Sequence, residues 1–211
     1  MGNKMSAHAL RLGVSKTWNS LWFNKGQDYI EALHQDLQVK KYIKDKLNLA
    51  GLDNIVIRRG ENTIDITVYV ARPGVAIGRG GSAMDLMKKD LSKMTKLQAN
   101  ININEVKKAD LSARILARSI ADALEHRLPL KPAMENAKTK AVAAGADGVK
   151  IWVSGRINGA SQARVVKISV GQVPLQTIKA DLDYAEERAS TRELGIFGIK
   201  VWIYYKKKES K

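Results

Sequence analysis

The chain of 211 residues has no cysteine and only three scattered histidines, His8, His34 and His126. Without thiols there is no disulfide, no thiolate nucleophile and no zinc–cysteine module of the kind around which many small nucleic-acid-binding domains fold. Three distant histidines leave little from which to build a metal site, so neither a metal nor any other cofactor is expected. No run approaches the ~20 apolar residues of a spanning helix, and Met1-Gly2-Asn3-Lys4-Met5 lacks the apolar core of a signal peptide. No lysine-faced amphipathic helix with large apolar residues opposite is found either. The expectation is a cytoplasmic chain with no membrane partner. A nucleophile beside a base is also missing. The acidic pairs Asp181/Asp183 and Glu186/Glu187 have Lys179 and Arg188 beside them, which makes structural ion pairing the better account. The chain does not read as an enzyme.

What is abundant is positive charge: 36 lysines and arginines against 21 acidic residues, a net charge of +15. The basic residues run along the whole chain, with a short basic end at Lys206-Lys207-Lys208 and Lys211. A surplus of this size spread this widely points to contact with a polyanion over a large surface, and nucleic acid is the obvious one. With 45% hydrophobic residues the chain can still bury cores, and its length suits one or two domains; two are expected.

Along the chain, residues 1–25 lack clear periodicity and read as an extended arm carrying Trp18, Trp22 and Phe23, aromatics that pack onto something rather than serve as a base platform. From Asp28 to about Ala50, Ile30, Leu33, Leu37, Tyr42, Ile43 and Leu47 recur at helical spacing, and Gly51 is a plausible stop. Ile55–Arg59 and Thr63–Val70 form a hairpin around Gly60-Glu61-Asn62, with Pro73-Gly74 ending the second strand. A short apolar turn, a helix from about Gly81 to Met94 and a strand over 99–104 follow. A second unit begins near Lys107. Asp110 is the expected N-cap of a helix through Leu116, Ile120, Leu124 and Leu128. Pro132 suits the first turn of another helix, with Ala133, Ala137, Ala141 and Ala144 as its packing stripe. Strands are expected over 149–153, 164–170, 177–182 and 198–204, with a turn at Asn158-Gly159.

The most informative residues are Gly78-Arg79-Gly80-Gly81, between two helical segments. Glycines there let the main chain approach a sugar-phosphate backbone, the following helix opens with free N–H groups suited to an anion, and Arg79 adds charge. Gly78-x-Gly80-x-x-Ala83 also fits a dinucleotide fingerprint, but that motif needs a strand running straight into its first glycine. Here Pro73-Gly74 and a helical turn intervene. The order helix, strand, strand, helix, GxxG, helix, strand instead resembles a KH nucleic-acid-binding module of the second type. Other candidate RNA contacts are Lys88 and Lys89, with Lys93 and Lys96, after the turn; Arg114 and Arg118 on one helix face; and Arg156, Arg164 and Lys167 on the strands of the second domain.

A wider resemblance covers nearly the whole chain. It rests on Arg11-Leu12-Gly13 with Trp18-Asn19-Ser20-x-Trp22, Ala71-Arg72-Pro73-Gly74-x-x-Ile77-Gly78-x-x-Gly81, Val153-Ser154-Gly155-Arg156-x-Asn158-Gly159-Ala160, Val173-Pro174-Leu175-x-Thr177-x-x-Ala180-Asp181-x-Asp183-Tyr184 and Gly195-x-x-Gly198-x-Lys200-Val201-Trp202-Ile203. In these residues the chain resembles the bacterial family of the third protein of the small ribosomal subunit. The resemblance implies a non-enzymatic constituent of the subunit head that binds small-subunit ribosomal RNA, sits where messenger RNA enters, and neighbours head proteins ten and fourteen. It implies that Gly78–Gly81 is the KH loop, that Arg156, Arg164 and Lys167 face RNA, and that an arm with Arg11, Trp18 and Trp22 packs among protein and RNA.

The family's messenger-facing helix carries a dense basic run, whereas the matching positions here read Lys131-Pro132-Ala133-Met134-Glu135, with Lys131 alone basic. A usual His-Pro pair before Arg-Leu-Gly is replaced by Ser6-Ala7. The expected fold class is α+β: an N-terminal type II KH domain with a three-stranded sheet and helices on one face, and a C-terminal domain of two helices on an antiparallel sheet. The expected divisions are an arm (1–17), the KH-containing domain (18–106), the RNA-binding domain (107–206) and a basic tail (207–211). A free-standing KH protein regulating messenger or small RNAs is the alternative.

Overall fold

The computed structural model describes residues 5–95, 97–192 and 195–205. The chain groups into two compact units, residues 18–107 and residues 1–17 with 108–211. In the first, β1 (Ser20–Leu21) and α1 (Gly26–Leu47) precede β2 (Leu52–Arg59), β3 (Thr63–Val70), the short α2 (Pro73–Ile77), α3 (Ser82–Thr95) and β4 (Gln98–Glu105). From α1 onward this is the expected order. Strict alternation in β3 buries Ile64, Ile66, Val68 and Val70 and turns Thr63, Asp65, Thr67 and Tyr69 to the other face. Onto the apolar face α1 brings Val39, Ile43 and Leu47, and α3 brings Met87 and Leu91. β2 and β3 are antiparallel and β3 and β4 parallel, so the latter pair needs a crossover; α2, the glycine turn and α3 form it.

The sheet gains a fourth strand beyond the three expected. Asn19 C=O accepts the Ile57 N–H at 2.8 Å, and Ser20–Leu21 runs parallel to β2. Residues 19–21 are therefore sheet edge rather than free arm.

The second unit carries α4 (Ala113–Glu125), α5 (Leu130–Ala143), β5 (Gly148–Gly155), β6 (Arg164–Gly171), β7 (Leu182–Thr191) and β8 (Gly195–Tyr204), the strands in spatial order β6-β5-β8-β7 and all antiparallel. Both helices lie on one face. Leu116, Ile120, Met134, Ala137 and Ala141 meet Val149, Ile151, Val153, Ile199, Val201 and Ile203.

Three local expectations are corrected here. The N-cap of α4 is Ser112, whose Oγ accepts the Ile115 N–H at 3.3 Å; Asp110 lies in the preceding 3-10 turn. A second orphan amide of this helix, Ala113 N–H, donates to Asp183 on β7 at 2.7 Å. The strand placed over 177–182 begins only at Leu182, because the carbonyls before it point elsewhere. They point at Arg11, a fully buried residue that is part of the second unit and not of an arm. Its guanidinium donates to the carbonyls of Ala7, Thr177 and Ala180 at 2.9–3.0 Å, and to those of Pro174 and Leu175 at 3.3 Å.

Candidate nucleic-acid interface

In the first unit the glycine turn joins α2 to α3, and both helices pack against β4. Gly78, Gly80 and Gly81 all have left-handed φ, 74°, 61° and 80°, which a side chain disfavours. At Gly78 space also forbids one, since an added Cβ would stand 2.9 Å from the Ala83 methyl. Around Gly80 and Gly81 a Cβ would meet nothing, so the turn is open to a ligand, with Arg79 between the glycines. Lys89 is exposed and Lys88 half-buried, roughly 9–10 Å along α3 at ~1.5 Å per residue. Lys93 is exposed too, whereas Lys96 and the lysines of the basic tail lie outside the described residues.

The sequence reading gave the apolar turn before the glycines no surface role, yet Val75 and Ile77, with Leu86 on α3, are exposed. Their signal was present: α2 is apolar beyond what its single buried residue, Ala76, requires.

Trp22 is held inside this unit. Its indole N–H donates to Asp36 at 2.7 Å, and its ring lies 5.6 Å from the Arg59 guanidinium. Arg59 pairs with the buried Asp36 at 2.7 Å. Trp18, by contrast, is 63% exposed.

In the second unit the structure separates residues the sequence placed together. Arg164 and Lys167 are three apart on one strand and so point to opposite faces. Arg156 follows the end of β5 in an exposed turn, its Nε donating to Ala160 C=O at 3.0 Å. Only Lys167 lies on the helix-free face. There it sits 4.7 Å from the Trp152 ring centroid, with Lys150 at 4.9 Å. Trp152, Trp202 and Tyr184 run across β5, β8 and β7 as an aromatic band. Lys200, on the same face, is paired at 3.0 Å with Glu186, whose pKa is lowered mainly by the Tyr184 hydroxyl and then by Lys200. Lys150 and Trp152 were missed for want of a partner strand; the alternation Lys150-Trp152-Ser154 was their only trace.

On α4, Arg114 is exposed, but Arg118 is half-buried and paired with Asp122 at 2.6 Å and Glu125 at 3.0 Å. It is committed internally, and the equal standing of the two arginines is corrected. Arg11 likewise has no side-chain surface for RNA. Burial pulls its pKa below the usual arginine value, which Asp181 partly restores. On α5, Lys131 is exposed, while Glu135 forms an ion pair with Lys138 one turn on.

Comparison with known proteins matches both units. A KH domain family model covers residues 38–111, and the model for ribosomal protein S3, C-terminal domain, covers residues 120–203. Small ribosomal subunit protein uS3 of Carboxydothermus hydrogenoformans is 44% identical over 204 residues, which is 97% of this chain and 91% of that protein. The chain belongs to the uS3 family. The uS3 proteins of a Caulobacter species and of Listeria monocytogenes, 44% and 42% identical over the same 97% of this chain, cover it equally. The KH match lies almost wholly in the first unit and the C-terminal-domain match wholly in the second. Among the described residues no group of three or more His, Asp or Glu could hold a metal, and no helix is long and apolar enough to cross a membrane.

Proposed function

We propose that this chain is a structural constituent of the small ribosomal subunit that binds its ribosomal RNA and performs no chemistry of its own. The observation that carries the reading is the open glycine turn, with three left-handed glycines and exposed lysines on the helix that follows, in a chain of which 97% is matched by a uS3 protein. A backbone that can approach a phosphate closely, at a helix N-terminus, supplies donors without a Cβ in the way.

Two finer statements belong to the same reading. The chain sits where messenger RNA enters, supported by exposed Lys131 at the start of α5. It also touches head proteins ten and fourteen, supported by the outer face of α1, where Ile30, Leu33 and Leu37 recur at helical spacing and stay exposed.

The test is binding of the full chain to a small-subunit ribosomal RNA fragment by filter retention. Arg79→Asp with Gly80→Asp puts negative charge where phosphate should lie and is expected to weaken binding about tenfold or more at moderate salt. Unchanged affinity rejects the turn as a contact. Retention of the chain on small subunits through a high-salt wash separates a ribosomal constituent from a free-standing KH protein, which would be stripped off.

A further inference from the structure

Each of the two sheets ends in two edge strands, and an unpaired edge is a template for another chain unless it is short, charged or broken by proline. Three of the four are blunted in this way. β1 is two residues long, β6 carries Arg164 and Lys167, and β7 carries Asp183, Glu186 and Arg188. β4, the edge beside β3, is different. From Gln98 to Asn104 it has neither a charged residue nor a proline, in a chain of net charge +15.

The backbone of β4 faces outward at known positions. Gln98 N–H donates to Asn62 C=O at 3.2 Å and Val106 N–H to Val70 C=O at 2.9 Å, so along this parallel ladder the even-numbered residues bond to β3 and the odd-numbered ones turn their N–H and C=O away. Ala99 N–H accordingly meets Ser92 Oγ at 3.3 Å. Ile101 and Ile103 come next, with backbone groups on the outer edge and side chains packed into the core beneath the sheet. Gln98, Asn100, Asn102 and Asn104 are exposed on the other face, where Asn100 donates to Asp65 at 3.0 Å. The segment Asn100-Ile101-Asn102-Ile103-Asn104 is a palindrome. Laid antiparallel on itself about Asn102, it sets Ile101 opposite Ile103 of the other strand as a hydrogen-bonded pair, which uses the N–H and C=O groups that point outward. The same register sets Asn102 against its own counterpart and Asn100 against Asn104, carboxamides that each donate and accept.

We propose that the free chain forms a two-fold dimer in which β4 pairs antiparallel with β4 of a second copy. The strand is its own complement in backbone and side chains, as an isologous contact requires. It is also uncharged where the copies meet, so a strongly basic chain can approach itself there without setting lysine against lysine. RNA is drawn to cations, which residues 98–104 lack. Because the other edges are short or charged, pairing closes at two copies instead of running on as a filament.

Since the chain has no cysteine, Asn102→Cys introduces a single thiol. In the proposed pair the two thiols stand on Cα atoms ~4.5 Å apart, within the ~4.4–6.8 Å that a disulfide spans. Under mild oxidation the full chain with Asn102→Cys should form a covalent dimer at least about tenfold faster than with Gln98→Cys, exposed on the same face but out of register, because pairing raises the effective concentration of matched thiols. Sedimentation velocity is run in ~0.3 M salt, where the Debye length falls below ~8 Å. There the unaltered chain should pass from monomer toward dimer as its concentration rises, and Asn102→Lys, which sets like charges opposite each other, should stay monomeric with an unchanged far-UV spectrum. Equal crosslinking of the two thiol variants overturns the proposal, as does an Asn102→Lys chain that dimerises like the unaltered one. An unaltered chain still monomeric at about 100 µM, where even weak specific interfaces associate, overturns it too. So does a thiol at position 102 that oligoadenylate shields from maleimide on a monomeric chain, which would assign the edge to RNA.

Discussion

At the scale of single residues, Arg11 does the most with one side chain. It donates to five backbone carbonyls contributed by residues 7 and 174–180, and so ties the N-terminal segment to the loop before β7. Replacing it by Met keeps the bulk but leaves those carbonyls to find other donors inside the protein. Arg11→Met should therefore cost about 3–5 kcal/mol of stability, by analogy with loss of one partner from a buried charged network. Urea denaturation would measure it; a cost below about 1 kcal/mol would show that water takes the place of the guanidinium.

A second single-residue device is Tyr42, whose hydroxyl donates to Asp90 at 2.7 Å and ties α1 to α3. Burial, then the bond to Asp90 and its charge, push the Tyr42 pKa up to about 12. The folded state therefore holds this proton to higher pH than the unfolded chain, which releases it near ~10. The contribution is complete below pH ~10 and is lost as pH rises toward 12. Stability of the chain should decline more steeply over that window than in Tyr42→Phe, as followed by circular dichroism; identical declines would argue against the link.

At the scale of elements, the proposed place at messenger entry makes α5 the helix whose charge is to be tested. Lys131 is the one basic residue in its first two turns, and Glu135 not only replaces a cation but engages Lys138. Pro132 sits in the first turn, where an amide would have no intrahelical acceptor, so an arginine is tolerated there. Subunits carrying Pro132→Arg and Glu135→Lys should translate through a messenger hairpin faster than those with the natural residues, and each added charge should steepen the salt dependence of messenger binding. Equal speeds would remove α5 from the account.

The glycine turn belongs to this scale as well. Its type was legible because three glycines in four positions permit the left-handed φ a tight turn uses, a local property of the backbone. The strand misplaced over 177–182 and the cap misplaced at Asp110 failed for the converse reason. In each, a group distant in sequence, Arg11 or Asp183, takes up backbone hydrogen bonds that local pattern had allotted to neighbours.

At the scale of the whole molecule, the chain's first seventeen residues belong with its last hundred rather than with the ninety that follow them. Lys16 pairs with Asp181 at 3.1 Å, and Ala7 packs with Leu182 and Trp202, so the segment covers part of the helix-free sheet face. A fragment of residues 108–211 should melt at lower temperature than the same fragment supplied with a peptide of residues 1–17. A melting curve unmoved by the peptide would mean that the segment only decorates the sheet.

The helix-free face shows what each level of description contributes. Net charge, the absence of cysteine, the two strand-and-helix patterns and the glycine turn are properties of neighbouring residues, and these by themselves gave the α+β class and pointed to nucleic acid. Strand alternation likewise settled that Val149, Ile151 and Val153 go inward together. Which basic residues share a surface was decided only in three dimensions. Strand pairing sets Lys150, Trp152, Lys167 and Trp202 side by side across three strands, while buried acids withdraw Arg59, and half-buried ones Arg118, from any RNA. Partners in a sheet register or an ion pair are chosen by packing between residues far apart in the chain, and that choice leaves no periodicity for a sequence to display.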